Sequence, residues 1–340
     1  MIFKSKWRYA QKMKKPMVKI AGIENYFPEK VVTNHDLEKI VDTNHEWIVE
    51  RTGISERRMS QKHETPGFMG SVASKNLLQR LQIDPNDIDI ILVATITSDY
   101  SFPATACLIQ DQIGAKRAWG YDLSAACSGY LYGLETARAF IGSGLAKNVL
   151  LIAAEKMSSI LNYEDRTTCV LFGDAATASL VTASENESGI LDSLLKMDGS
   201  GLPCLYMPAG GSLEPPSEET VKNKLHYVVQ EGRSVYKRAV TDMGEVCVEL
   251  LKKHNLGADD LKLFVPHQAN LRIIESAAER MKLDPKKIAL NIQRYGNTTA
   301  ATIPSALAEH LENGSLEKGD LVLLASFGAG FTWGATLIRI

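Results

Sequence analysis

The sulfur of Cys127 is the most pointed chemical signal in this 340-residue chain. It lies in "DLSAACSGYLYGL" (122–134), framed by Ala125, Ala126, Ser128 and Gly129 and followed by a helix-forming run. A thiol at a helix start can attack a carbonyl carbon, because aligned peptide dipoles favour the thiolate and small neighbours leave room for a ligand. The plainer alternative is a buried cysteine acting as a small hydrophobe. "FVPHQAN" puts His267 and Asn270 just past an apolar stretch, where open α/β sheets gather their ligands. A structural histidine would fit there equally well. Asn297, in "YGNTTAA", offers either an amide hydrogen bond to a substrate or an N-cap for the helix behind it. In "SFGAGFTWGA" (326–335), glycines and Ala329 follow an apolar strand. Their tight turn either presents a backbone N–H to a reacting oxygen or merely closes a hairpin.

These residues must be held by the elements around them, and the chain alternates strands with helices. "VKIAGIENYFP" reads as a strand and "TPGFMGSVASKNLLQRL" as an amphipathic helix with Pro66 near its start. "DIDIILVATIT" is too apolar to have a wet face, as a strand buried on both sides requires. Such alternation implies an α/β architecture. The grammar repeats. "DIDIILVAT", a helix through "FPATACLIQDQIG", a helix near Cys127 and "KNVLLIAAEK" are echoed by "DDLKLFVPHQ", "ANLRIIESAAERM", a helix near Asn297 and "GDLVLLASFGAG". Asp87 precedes Cys127 by 40 positions and Asp260 precedes Asn297 by 37; Cys127 precedes Lys147 by 20 and Asn297 precedes Gly319 by 22. A pseudo-twofold relation between the halves would bring two helix starts together, one with Cys127 and one with Asn297. Residues 207–224, rich in Gly, Pro, Ser and charge, read as a surface loop or flap before strand-like "LHYVVQEG".

Composition narrows the function classes. The chain is 45% hydrophobic and 23% charged with a net charge of −2, so neither a nucleic-acid coat nor a membrane-surface field is expected. The five cysteines (107, 127, 169, 204 and 247) show no CxxC or metal-ligand spacing, which fits free thiols in a reducing cytoplasm. No run of eighteen apolar residues suggests a transmembrane helix. The basic start "MIFKSKWRYAQKMKK" lacks the apolar core of a secretory signal. Residues 1–16 are expected to be a disordered tail outside the fold, or to precede a working start at Met13 or Met17. The two halves are then expected at 17–185 and 186–340.

Taken together and in order, "DTNHEWIVERTGISERR", "AACSG", "DRTT", "FGDAA", "VPHQAN", "GNTTAA" and "FGAGFTWG" resemble one family, the β-ketoacyl-acyl-carrier-protein synthases III. The resemblance runs from about Val18 to Ile340. It implies the thiolase fold: two pseudo-twofold-related α/β halves in a five-layered α-β-α-β-α arrangement, assembled as a homodimer. It also implies that Cys127, His267 and Asn297 form a catalytic triad, with the backbone amides of Cys127 and Ala329 as the oxyanion hole. Related condensing enzymes with two histidines, and thiolases with a second cysteine, do not share Asn297. Plant-type polyketide synthases share the triad, but "HEWIVERTGI" points to the initiating synthase.

The implied reaction joins a short acyl-CoA, acetyl above all, to malonyl-acyl carrier protein through an acyl-Cys127 thioester, and it starts fatty-acid synthesis. No metal or redox cofactor is implied, since decarboxylation supplies the driving force. By the same resemblance Trp47, Arg51, Arg166 and Asn270 contact CoA, Lys237 and Arg272 dock the carrier protein, and Phe102 closes the acyl pocket across the dimer. Ala329 departs from the family's usual FGGG loop: it keeps the backbone donor, while its methyl bears on the acyl pocket. Rival readings are a starter-loading relative in a specialised pathway, a cysteine-dependent acyl hydrolase, and a non-catalytic acyl-binding scaffold.

Overall fold

Unbroken apolar runs make the central strands. The structure, a computed structural model, describes residues 17–340, so the expectation for the basic segment 1–16 falls outside the described residues. The first half runs β1 (Met17–Tyr26), α1 (His45–Thr52), α2 (Pro66–Leu81), β2 (Ile90–Ala94), α3 (Thr105–Ile113), β3 (Trp119–Leu123), α4 (Gly129–Gly142), β4 (Asn148–Lys156) and β5 (Asp174–Ser184). Its sheet has the order β1-β5-β4-β2-β3, with β2 parallel to both β3 and β4, and β5 antiparallel to β4 and β1. The second half runs β6 (Gly189–Met197), α5 (Gly232–Lys253), β7 (Leu261–Pro266), α6 (Leu271–Met281), α7 (Thr302–Glu312), β8 (Leu321–Gly328) and β9 (Thr332–Arg339). Its order is β7-β8-β9-β6, with β7 parallel to β8 and the other pairs antiparallel. A parallel bridge from Phe264 to Ile288 stands where β3 stands beside β2. The repeated grammar of the sequence is thus a repeated sheet topology.

Five layers follow from the alternation of side chains along buried strands. Ile91, Val93, Leu150 and Ile152 face outward onto Met69, Ala73 and Leu77 of α2 and Ile109 of α3. Their neighbours Ile90, Leu92, Val149 and Leu151 face inward onto α4 and α7. The same central helices are packed from the other side by Leu263, Val265, Val322 and Leu324. Phe264 and Leu323 turn outward onto α5 and α6. The result is the thiolase fold, with α4 and α7 sandwiched between the sheets.

Local signals explain the element ends. Thr65 caps α2 by accepting from Phe68 N–H, and Pro66 occupies the first helical position, where its missing N–H costs nothing. Asn44 caps α1 and Asn270 caps α6. The strand expected in "LHYVVQEG" shrinks to a two-residue pairing of Val229–Gln230 with Leu205–Tyr206. The 207–224 loop contains a short helix, Glu218–Lys222, capped by Ser217. Among the described residues no helix is long and apolar enough to cross a membrane.

Candidate active site

The two central helices meet head to head, and the chemistry collects there. Each is preceded by a tight turn holding one residue in the left-handed region, Ala126 (φ 45°) before α4 and Thr299 (φ 54°) before α7. Non-glycine residues occupy that region only where their surroundings impose it. Gly129 permits the approach, because a Cβ there would lie 3.0 Å from Ala94 Cβ and 3.4 Å from Ala300 Cβ. Cys127 follows Ala126, so its counterpart after Thr299 is Ala300. The expectation that Asn297 occupies the equivalent helix start is therefore corrected by three residues. Asn297 stays outside the turn because its backbone pairs with Phe172.

A cleft of about 420 Å³ brings together Cys127, His267, Asn297, Trp47, Arg51, Asn270 and Arg272. Cys127 is 7% exposed. Burial pushes its thiol up to about 12, the Glu155 carboxylate adds to this, and hydrogen bonds from the Cys127 and Ala329 amides only partly offset it. Burial thus opposes the thiolate that the helix start favours. The loop between β8 and β9 holds the sulfur in place. Ser326 Oγ donates to Cys127 O at 2.8 Å, Ser128 Oγ to Thr332 O at 3.0 Å, and Thr332 Oγ1 to Ala125 O at 3.1 Å. A Cβ on Gly328 would lie 2.8 Å from Cys127 Cβ and 3.2 Å from its Sγ. The glycine-rich segment forms the β8–β9 hairpin and brings the Ala329 amide to the Cys127 side of the cleft.

His267 sits just past β7 with its backbone N–H on Ala325 O at 2.7 Å. Its ring is 2% exposed, and burial lowers it to about 3, so the imidazole is neutral. Nδ1 meets Thr302 Oγ1 at 2.7 Å. Asn297 Oδ1 accepts from Thr299 N–H at 2.9 Å, which ties down the turn before α7, while α7 itself has no side-chain cap. That bond fixes the amide orientation and leaves Nδ2 as its free donor.

At the mouth, Arg51 and Arg166 both stack on the Trp47 ring, at 4.9 and 5.3 Å from its centroid. Arg166 also donates to Asp42 O at 2.9 Å. A base inserted between this ring and Arg166 would have to displace the guanidinium. Asn270 spends its amide on structure, with Oδ1 accepting from Arg272 N–H at 2.9 Å and Nδ2 donating to Arg51 O at 2.8 Å. Lys237 is exposed on α5 and does not line the cleft, although its neighbour Tyr236 does. Phe102 is 85% exposed and lies outside the cleft.

Several contributors were invisible in the sequence. Arg233 lines the mouth beside Arg51 and Arg272. Glu155, fully buried, accepts from Thr95 Oγ1, Ile96 N–H and Thr97 Oγ1, and burial pushes it up to about 8. Thr302 carries no motif of its own, and Ser326 and Gly328 lie in the glycine-rich segment, whose sequence does not say that they meet Cys127. Among the described residues no cluster of three or more His, Cys, Asp or Glu could hold a metal.

Comparison with known proteins bears on this geometry. Family models described as 3-Oxoacyl-[acyl-carrier-protein (ACP)] synthase III and its C terminal match residues 121–199 and 251–340. The chain is 50% identical over 323 residues to the β-ketoacyl-[acyl-carrier-protein] synthase III of Chlorobium chlorochromatii, covering 94% of this chain and 98% of that one. The crystal structure of 3-oxoacyl-[acyl-carrier-protein] synthase III from Aquifex aeolicus superposes with a TM-score of 0.88 at 45% identity, covering 95% of this chain and all of that one. The priming β-ketosynthase of the R1128 polyketide pathway superposes with a TM-score of 0.89 at 32% identity, covering 97% and 98%.

Proposed function

This chain belongs to the 3-oxoacyl-[acyl-carrier-protein] synthase III family of acyltransferases, and from that premise we propose that its cleft joins a short acyl group from coenzyme A to malonyl-acyl carrier protein. In the first half-reaction the Cys127 sulfur attacks the acyl-CoA carbonyl. The carbon–sulfur bond to CoA breaks, and the thiol proton leaves with the CoA sulfur. Because burial holds the thiol near 12, its proton departs as attack proceeds rather than beforehand. The Cys127 and Ala329 amides, already aimed at the sulfur, receive the oxyanion.

In the second half-reaction the malonyl carboxylate leaves as carbon dioxide, and its bonding pair becomes an enolate. His267 and Asn297 donate to the thioester oxygen that takes the charge. The enolate carbon then attacks acyl-Cys127, and the expelled Cys127 thiolate takes up one proton from solvent, which balances the carboxylate charge lost with carbon dioxide. The chemistry needs no metal or redox cofactor, because loss of carbon dioxide drives it. The observation that carries this reading is the convergence of Cys127, neutral His267 and the free amide of Asn297 on one cleft.

Trp47, Arg51 and Arg166 suit the adenine and phosphates of CoA, since stacked guanidinium and indole groups favour a planar, anionic ligand. Asn270 serves that site by holding the C-terminal end of α1 at Arg51. Arg272 and Lys237 would meet an acidic carrier protein, and Lys237→Glu should raise KM for the malonyl carrier alone. The homodimer reading is supported by the edge strand β3 and the exposed Ile96, Tyr100, Phe102 and Trp119 near it. In such a dimer Phe102 would close the partner's acyl pocket; a single-chain mass at sedimentation equilibrium would exclude this. Free cysteines among the described residues support a cytoplasmic site.

Incubation with acetyl-CoA and malonyl-acyl carrier protein tests the reading by protein and product mass. We expect one acetyl adduct on Cys127 and a 3-ketoacyl carrier product, both absent from Cys127→Ala. Free acetate without a carbon–carbon bond would indicate a hydrolase. Refusal of acetyl-CoA in favour of another starter would indicate a specialised pathway, the reading that likeness to the R1128 enzyme favours.

A further inference from the structure

Arg57 is fully buried, yet its guanidinium meets only neutral acceptors among the described residues. We infer that Arg57 is a positioning residue for Asn297, gripping the chain segment against which Asn297 is registered. Nη1 donates to Val32 O at 3.2 Å and to Asn34 Oδ1 at 2.9 Å, and Nη2 donates to Val170 O at 2.9 Å. The direction of each bond is fixed, because a guanidinium only donates. Burial lowers the group to about 10, so it stays cationic at neutral pH. A buried charge adds little net stability, and its best-attested return is register.

The register here is that of residues 165–173. Asn297 N–H donates to Leu171 O at 2.9 Å, and Asn297 O accepts from Gly173 N–H at 3.0 Å. The place of the Asn297 amide therefore follows that of this segment. Further backbone bonds of the segment turn inward, with Thr168 and Cys169 N–H on Asp165 O and Leu171 N–H on Thr168 O. Arg57 is the one described side chain from outside the segment that bonds its backbone. Its stem packs against both glycines beside the Asn297 pairing: a Cβ on Gly173 would lie 3.1 Å from Arg57 Cβ, and one on Gly296 3.5 Å. The other side of the fork is anchored, since Asn34 is buried and its Nδ2 donates to Ile54 O at 2.7 Å. A lysine would keep the charge but lose the planar fork that spans acceptors on two sides. The inference rests on the proposed donor role of Asn297, but the grip itself can be observed without it.

The test begins with nitrogen NMR of the unaltered full chain labelled in its arginines, with Arg57 assigned through its side-chain carbons. Nη1 and Nη2 should give separate, slowly rotating signals; one merged, freely rotating signal overturns the inference. Arg57→Lys should then lower kcat for malonyl-carrier decarboxylation by ~10-fold, short of the ~10²-fold cost of losing an oxyanion donor outright. Acyl loading of Cys127 at saturating acetyl-CoA should stay within about threefold, since Cys127 and its amides hang from other elements. In an Asn297→Ala background the same Arg57→Lys change should alter decarboxylation by less than about twofold, because residues that act through one another are not additive. A tenfold loss in both backgrounds, or none in either, would sink the inference, as would equal loss of loading and decarboxylation. If Arg57→Lys does not fold, Asn34→Ser loosens the same anchor and should repeat the pattern at about threefold. Full decarboxylation by Asn297→Ala alone would refute the proposed function, and the grip would then stand or fall on the guanidinium signals.

Discussion

At the residue scale, the proposed reaction falls to groups that burial keeps uncharged. Cys127 has a thiol near 12 and His267 an imidazole near 3, both for lack of solvent around the charged form. Neither forms an ion pair at neutral pH; each acts when substrate arrives. Cys127→Ala should abolish acyl-enzyme yet retain carbon dioxide release from malonyl carrier protein. His267→Ala and Asn297→Ala should lose that release by ~10²-fold or more and still load some acyl group. Decarboxylation by the unaltered enzyme should show no inflection between pH 5 and 7, around the ordinary histidine value, because His267 is already neutral there. Loading lost in His267→Ala as completely as in Cys127→Ala would make His267 the thiol's base.

At the scale of elements, Cys127 is held by a hairpin about two hundred residues away. The β8–β9 turn contributes the Ala329 amide, the Ser326 hydroxyl and the vacant side of Gly328. Gly328→Ala would push a methyl to within 2.9 Å of Cys127 N and 3.2 Å of its Sγ. Acyl loading, followed as adduct mass against time, should then fall by ~10²-fold, as for a displaced oxyanion donor. Ala329→Gly keeps its N–H and should load within about threefold of the unaltered chain. Equal rates in both variants would mean that the turn does not shape the nucleophile.

At the scale of the whole molecule, two buried groups tie stability to pH in opposite directions. Glu155 is raised to about 8 from an ordinary 4.5, so the folded state holds a proton that the unfolded chain releases. Its contribution is complete below about 4.5 and is lost as pH rises toward 8. His267 is lowered to about 3, so the unfolded chain takes up a proton that the fold refuses, and stability falls as pH drops from 6.5 toward 3. Glu155→Gln should therefore gain stability relative to the unaltered chain as pH rises from 5 to 8, in paired denaturant titrations. A difference that does not change with pH would show that Glu155 does not titrate on unfolding.

The sequence by itself determined the strands and helices, their repetition and the three candidate residues that one cleft brings together. Apolar runs such as "IILVA" report burial on both faces, while Thr65-Pro66 marks a helix start through bonds to the next few residues. Those signals are local, and the repeat is local grammar written twice. What only the tertiary structure decided depends on atoms brought from afar. The burial of Cys127, which opposes the helix start, comes from the packing of elements distant in sequence. The offset of Asn297 from its helix came from pairing with Phe172, and Asn270 became a cap and tether through Arg51. The contacts of Thr302 with His267 and of Gly328 with Cys127 exist only because two halves pack through α4 and α7. Periodicity encodes which way a side chain faces, but its proton partner is set by the packing of elements distant in sequence.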